Sequence, residues 1–410
     1  KPPSRMMPAV SYNVLSRRGL PLFAIFFIWA SGTGAMQLAR PLMAASFGAN
    51  IFFVSVLLAT NSLARMVASP LTGFLSDRFG RRPLVIIGIV LRGTSAILSY
   101  FSTSYEQFLV LEFFGGIGIS IFGTGASIIV ADVSGEHQRG RAVALRGMSM
   151  RLGSAVGPFI GAVLTGLFDL RTILLFNGLT KLLVLGMVLT MVRETRPQQA
   201  AGTRRPDTGL NRNDWKALAS APYLAVAAAT LVIGMMELAG ATGGVLTLMA
   251  KNELGMNPTV VGNLLTLAGL VAVAVSYPNG LLVDRFGRKP ILIPGLCLFA
   301  AFAAMLSTHP EVGLVVLAMV IYGMADGMCQ GSTQVFAIDM APPERRGAFM
   351  GIWQLYGNLG GLISPIIVGG IAQAWGFSAA FIAIVALVLL SAVLVTVFGP
   401  ETRQRVEVDR

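Results

Sequence analysis

Twelve long apolar runs divide the chain, at roughly residues 20–46, 51–76, 83–103, 107–131, 142–168, 171–192, 222–249, 259–283, 290–307, 311–338, 347–373 and 377–398. A run of ~20 apolar residues crosses a ~30 Å hydrocarbon core as a helix. Within lipid every backbone N–H and C=O must find its partner inside the segment, which leaves helices for runs of this length. The chain therefore reads as an all-α membrane protein. Only 12% of its 410 residues are charged, against about 25% in soluble domains. The first run exceeds the ~7–15 apolar residues of a signal peptide and reads as the first membrane helix.

Charge supplies the orientation. One set of loops holds 23 of the 31 Lys and Arg residues: the two termini and the stretches near 77–82, 132–141, 193–216, 284–289 and 339–346. The opposite loops hold only Arg171 and Lys251. An excess of Lys and Arg marks the cytoplasmic side, so both termini are expected there, in a multi-pass protein of the cell (plasma or inner) membrane. The formal charge of +12 is thus a topology signal, strengthened by anionic lipid. No basic–aromatic surface pattern points to nucleic acid. Residues 193–219 are the one long polar stretch and read as a mobile cytoplasmic linker.

The loop "GFLSDRFGRRPL" at 73–84 returns as "GLLVDRFGRKPI" at 280–291. The offset of 207 also relates Gly48 to Gly255, Asp132 to Asp339, Gly140 to Gly347 and Pro158 to Pro365. The chain is therefore two copies of a six-helix unit, 1–192 and 220–410, joined by the linker. Parallel repeats of this kind are a secondary-transporter architecture, with the substrate near the midplane between the halves.

On these residues the chain resembles the major facilitator superfamily. The loop matches that superfamily's pattern between helices 2 and 3. "GSAVGPFIGA" at 153–162 resembles the helix-5 pattern of its antiporter branches through Gly153, Gly157, Pro158 and Gly161, with Ala162 in place of the last glycine. In the second copy Ser364 stands where Gly157 stands in the first. Plain helix packing by small residues is the alternative reading of this pattern.

The glycines of the loop permit tight turns and its arginines anchor it. Asp77 adds nothing to a positive anchor. The resemblance implies a cytoplasmic latch built from Gly73, Asp77, Arg78, Gly80, Arg81 and Asp132, repeated as Gly280, Asp284, Arg285, Gly287, Arg288 and Asp339. Asp77 would face the start of helix 11 near Gly347, paired with Arg81 and through it with Asp132. Arg82 and Lys289 read as anchors.

Ionisable residues at membrane depth mark function by default. The resemblance places helices 1, 4, 7 and 10 around a central cavity, and each carries one: Arg40, Glu112, Glu237 and Asp326. Arg40 and Glu112 each lie about 9 Å from the outer end of their helices, close enough in depth to pair. Glu112 departs from the arginine common on helix 4 of antiporters. Its protonation would free Arg40 and couple proton movement to rocking; a structural ion pair is the alternative. Glu237 and Asp326 are expected near mid-helix, as proton sites or holders of a cationic substrate. Gln37, Gln330 and Gln334 add polar contacts. Arg65, Arg92, Arg146, Arg151 and Lys181 are buried in the first half only, either as a wall for an anionic substrate, with Arg151 foremost, or neutralised locally.

No G-x-x-x-x-G-K-[S/T] motif appears, so an ATP motor is not expected. No metal cluster or nucleophile–base set appears, and no enzyme reading follows. The expected function is proton-coupled transport of a small organic molecule by alternating access, as an efflux antiporter acting as a monomer, with a proton gradient and no cofactor. The alternative is a symporter or exchanger of an organic anion. A non-transporting receptor on the same fold is the third reading.

Overall fold

The computed structural model describes residues 20–133, 139–192, 212–237, 241–308, 310–341 and 346–399. Among the described residues there are thirteen helices and no strands. The first half comprises α1 (Leu20–Ser46), α2 (Ile51–Phe79), α3 (Arg81–Tyr100), α4 (Tyr105–Val133), α5 (Arg139–Leu167) and α6 (Thr172–Met191). A short α7 (Arg212–Leu218) precedes the second half. That half holds α8 (Ala221–Met235), α9 (Ala241–Asn252), α10 (Pro258–Phe286), α11 (Lys289–Leu306), α12 (Val312–Met340) and α13 (Arg346–Phe398). Nine helices among the described residues are long and apolar enough to cross a membrane.

Three boundaries differ from the sequence reading. The run 222–249 is not one helix: α8 stops at Met235 and α9 begins at Ala241. The described residues of the break are Met236 and Glu237, within an apolar run that hydropathy alone reads as continuous. The stretch 193–219 is also not all linker, because "RNDWKAL" forms α7, with Asp214 in its first turn and Lys216 in its last. Those charges complement the ends of the helix dipole. Conversely, α13 runs through two expected spans, and Gly376 at φ 87° turns the chain between them.

The repeat is visible in geometry. Gly80 (φ 94°) and Gly287 (φ 100°) are 207 residues apart and turn the chain between α2 and α3 and between α10 and α11. A β-carbon is disfavoured at such φ, which explains glycine at both. Next to them, Arg82 Nη2 donates to Leu189 O at 2.7 Å, and Lys289 Nζ donates to Thr396 O at 2.7 Å. Donors and acceptors are both related by the offset. Each cation satisfies an orphan carbonyl in the last turn of a helix, so these anchors also lace the third span of each half to the sixth.

Within the first half, α1 packs on α5 and α6, and α3 on α4 and α6. Gly153 and Gly157 of α5 bring that helix against the α1 backbone at Phe27, Ser31 and Ala35. Across the halves α5 packs on α10 and α2 on α13. These seams are tight at the end of the bundle remote from the Gly80 and Gly287 turns, here called the distal end. Gly262 lies against Pro158 and Ala162, Gly269 against Ala155, Gly369 against Ser55 and Gly244 against Leu58, each with no room for a β-carbon. Ile51 N donates to Gln373 Oε1 at 3.1 Å across the same end.

Candidate transport cavity

A cavity of about 410 Å³ lies between the halves, within the size range of small-molecule sites. α1 lends it Gln37 and Arg40, α2 Arg65, and α5 Arg151; Glu237, Asp326 and Gln330 face them from the second half. Two of the expected cavity residues do not line it. Glu112 is fully buried behind the wall, and Gln334 is an exposed residue of α12. Depth along a helix is legible in sequence, but rotation about its axis is not, and rotation placed these two.

Glu112 is the centre of a buried cluster. Arg40 Nε lies 2.7 Å from Glu112 Oε2, and Arg92 Nη1 lies 3.1 Å from Oε1. Asn61 Nδ2 donates to Glu112 Oε2 and to its backbone carbonyl, both at 3.2 Å. The "EFFGG" sequence serves this cluster. Gly115 makes room for the Arg92 guanidinium, and Gly116 lets α4 approach Asn61 and Ala64 of α2. One carboxylate is thus shared by two guanidiniums.

Glu237 sits beyond the end of α8 rather than within a helix. Irregular backbone at membrane depth is tolerated where it lines a cavity or is buried in protein, and here it is doubly supported. Ser364 Oγ donates to Met235 O at 3.0 Å, and Tyr322 Oη donates to Met236 O at 2.7 Å. The serine that breaks the glycine pattern of the second copy therefore satisfies a carbonyl freed by the interrupted span. Arg65 and Asp326 are within electrostatic reach of Glu237.

Arg151 bridges the halves. Its Nη1 donates to Ser276 Oγ of α10 at 2.8 Å and its Nη2 to Gln330 Oε1 of α12 at 3.4 Å. Gln330 Nε2 in turn donates to Asp326 Oδ1 at 3.0 Å. On the first-half side Gln37 Nε2 donates to Ser154 Oγ at 3.1 Å. Lys181 lies one layer behind the wall. It donates to Trp29 O at 2.8 Å and Thr33 Oγ1 at 3.1 Å, with its ammonium 4.6 Å from the centroid of the Trp29 ring. Asn61 and Tyr322 line the cavity and Ser276 accepts from Arg151, none of them named by the sequence reading, whereas Arg65 entered it only as one member of a possible basic wall. Arg65 was legible as a cation inside an apolar run; the other three carried no such signal.

Of the latch set, Arg288 Nε lies 2.9 Å from Asp339 Oδ2. Gly80 and Gly287 form the turns already described, while Gly280 and Arg285 are exposed. Gly73, Asp77 and Arg78 belong to α2, Asp132 to α4 and Asp284 to α10; their side-chain surroundings lie outside what the structure describes. In the helix-5 pattern, Gly153 and Gly157 seat α1, Gly161 lies beside Ala35, and the Pro158 carbonyl meets Gly262 of α10. Packing inside the first half and between the halves accounts for these positions.

A profile described as Major Facilitator Superfamily matches residues 22–242 and 231–410. An uncharacterized MFS-type transporter of Methanocaldococcus jannaschii is 22% identical over 89% of this chain and 96% of its own length. The multidrug resistance protein MdtG of Enterobacter lignolyticus is 24% identical over 80% of this chain and 78% of its own. The crystal structure of the nucleoside transporter NupG superposes with a TM-score of 0.78 at 13% identity, covering 92% of this chain and 99% of that one. With a cavity between two repeat-related halves and a family match along nearly its whole length, the chain belongs to the Major Facilitator Superfamily: it is a multi-pass membrane transporter and not an enzyme.

Proposed function

We propose that the protein is a proton-coupled secondary transporter that moves a small organic molecule by alternating access, with both termini cytoplasmic and residues 193–219 linking the two halves. The observation that carries this reading is the facing of charges across the cavity. Glu237 and Asp326 belong to the second half, and Arg65 and Arg151 belong to the first. Protonating either acid removes an attraction between the halves and so biases their rocking. Glu112 takes a different part from the one expected. Held by Arg40, Arg92 and Asn61, it serves as a fixed structural anion, and the proton duty passes to Glu237 and Asp326.

Export in exchange for protons is the direction we favour, supported by likeness to a protein named for multidrug resistance. Symport or exchange of an organic anion is the second reading. It is favoured by a specific count: Arg40, Arg65, Arg92 and Arg151 outnumber Glu112, Glu237 and Asp326 in and behind the cavity wall. Proteoliposomes with an imposed pH gradient test both. Substrate-dependent proton movement opposite to the substrate marks antiport, and movement with it marks symport. Substrate flux with no proton movement under any gradient overturns the coupling.

A further inference from the structure

The cavity holds one more guanidinium than it has carboxylates to match, and the geometry locates the surplus. Arg151 reaches Asp326 through Gln330. Arg65 faces Glu237 across the cavity. That leaves Arg40 and Arg92 to share Glu112. Arg92 is fully buried away from the cavity, whereas Arg40 lines it. Arg40 spends its Nε on Glu112, and its Nη2 has no hydrogen-bond partner although the residue is only 3% exposed. Arg65 is similar: Nη2 donates to Ser62 Oγ at 3.2 Å, while its buried Nε has no partner. A buried guanidinium nitrogen without an acceptor is costly. Both residues line the cavity, so their guanidiniums give its wall positive charge that the protein's own acceptors do not fully take up. Opposite them, α10 lines the cavity with Leu265, Ala268, Ala272 and Val273, which offers an apolar body nothing but hydrocarbon.

We infer that the cargo is an amphiphilic organic anion, with a carboxylate-like head held by the guanidiniums of Arg40 and Arg65 and an apolar body against α10. This rests on the reading of the cavity as the transport site and is independent of the direction of transport. Glu112 then acts as a positioning residue, holding Arg40 by Nε so that its guanidinium stays at the cavity wall. Bringing an anion to Arg40 neutralises the surplus charge, so binding strengthens the site instead of competing for an existing ion pair.

The test uses the full-length chain, purified in detergent, and three probes of one shape: 2-naphthoate, 2-naphthamide and 2-naphthylmethylammonium. Naphthoate is expected to raise the melting temperature and to change the fluorescence of Trp29, which lines the cavity; the amide and the ammonium are expected to do neither. Arg40→Lys keeps the charge but loses the fork and should weaken naphthoate at least about tenfold. Arg65→Gln leaves the Glu112 cluster intact and should weaken it by a similar factor, so the test survives if the Arg40 variant does not fold. Preference for the ammonium, no response to naphthoate, or unchanged naphthoate affinity in the folded variants overturns the inference. A separate flux assay with a pH gradient keeps the two readings distinct. Gradient-driven flux of the ammonium sinks the anion site and leaves transport standing. Naphthoate binding through Arg40 with no flux of any probe does the reverse.

Discussion

Ser364 donates its hydroxyl to the carbonyl of Met235, the residue at which α8 stops. It stands where the first copy of the repeat has Gly157, a residue that only lets helices approach. The hydroxyl is a replacement with a purpose: the interrupted span frees carbonyls, and membrane depth supplies no water to take them. Ser364→Ala should cost about 1 kcal/mol, and the double variant with Tyr322→Phe about 2 kcal/mol. Thermal unfolding in detergent reads both. A double variant that melts with the wild type would mean that these hydroxyls do not support the break.

Glu112→Gln should damage folding rather than coupling. Removing the carboxylate leaves Arg40 and Arg92 buried and facing each other, a loss of about 3–5 kcal/mol. The expected result is poor accumulation or a much lower melting temperature. Exchanging Arg40 and Glu112 should not rescue it, because the new arginine at 112 would lie against Arg92. A charge swap that restores both fold and transport would show that Arg92 is incidental.

Glu237→Gln and Asp326→Asn should each uncouple the carrier. Flux driven by a pH gradient is expected to fall at least about tenfold, while exchange of substrate down its own gradient persists. Gradient-driven flux at the wild-type rate in both variants would remove these acids from the proton path.

Ser55 and Gly369 meet so closely at the distal end that a β-carbon on Gly369 would overlap the serine hydroxyl. A Ser55→Cys, Gly369→Cys pair, with the native Cys297 and Cys329 replaced by serine and alanine, should therefore oxidise readily after a small outward adjustment to ~3.8 Å between β-carbons. The disulfide should halt transport, and reduction should restore it. Efficient transport in the oxidised protein would mean that this seam does not open during the cycle.

Asp77→Asn should lower transport while surface expression stays near normal, as a latch contact predicts and a simple positive anchor does not. Kinetics equal to the wild type would reduce the loop to topology.

The fold was legible because two signals were redundant. Apolar runs set the spans, and the 207-residue offset fixed their grouping; Gly80 and Gly287 show the same left-handed turn that the repeated motif implied. The site was legible only in part. Arg40, Glu237, Asp326 and Arg151 announced themselves as charges within apolar runs. Ser276, Asn61 and Tyr322 did not, because a serine, asparagine or tyrosine in a membrane helix is common, and its partner is set by another helix's rotation. The same lack of rotational information put Glu112 in the cavity when it lies behind the wall. The break in the seventh span was hidden for a different reason: hydropathy averages over Glu237 and the glycines and cannot register a lost hydrogen-bond ladder.

At the distal seam Gly262 meets the Pro158 carbonyl, Gly269 meets Ala155 and Gly369 meets the Ser55 side chain. Its glycines have nothing to trim. Substitution there can only wedge the seam, never thin it, so the mutational landscape of the glycine side is one-sided. Enlarging any of these glycines should push the carrier toward the conformer open at that end. Suppressors should arise directly opposite, as losses of volume such as Ser55→Ala against Gly369 or Ala155→Gly against Gly269. The balance between the two faces of this transporter is thus set by missing methyl groups, and a selection for shifted conformers would find its second-site revertants there before it found them among the charges.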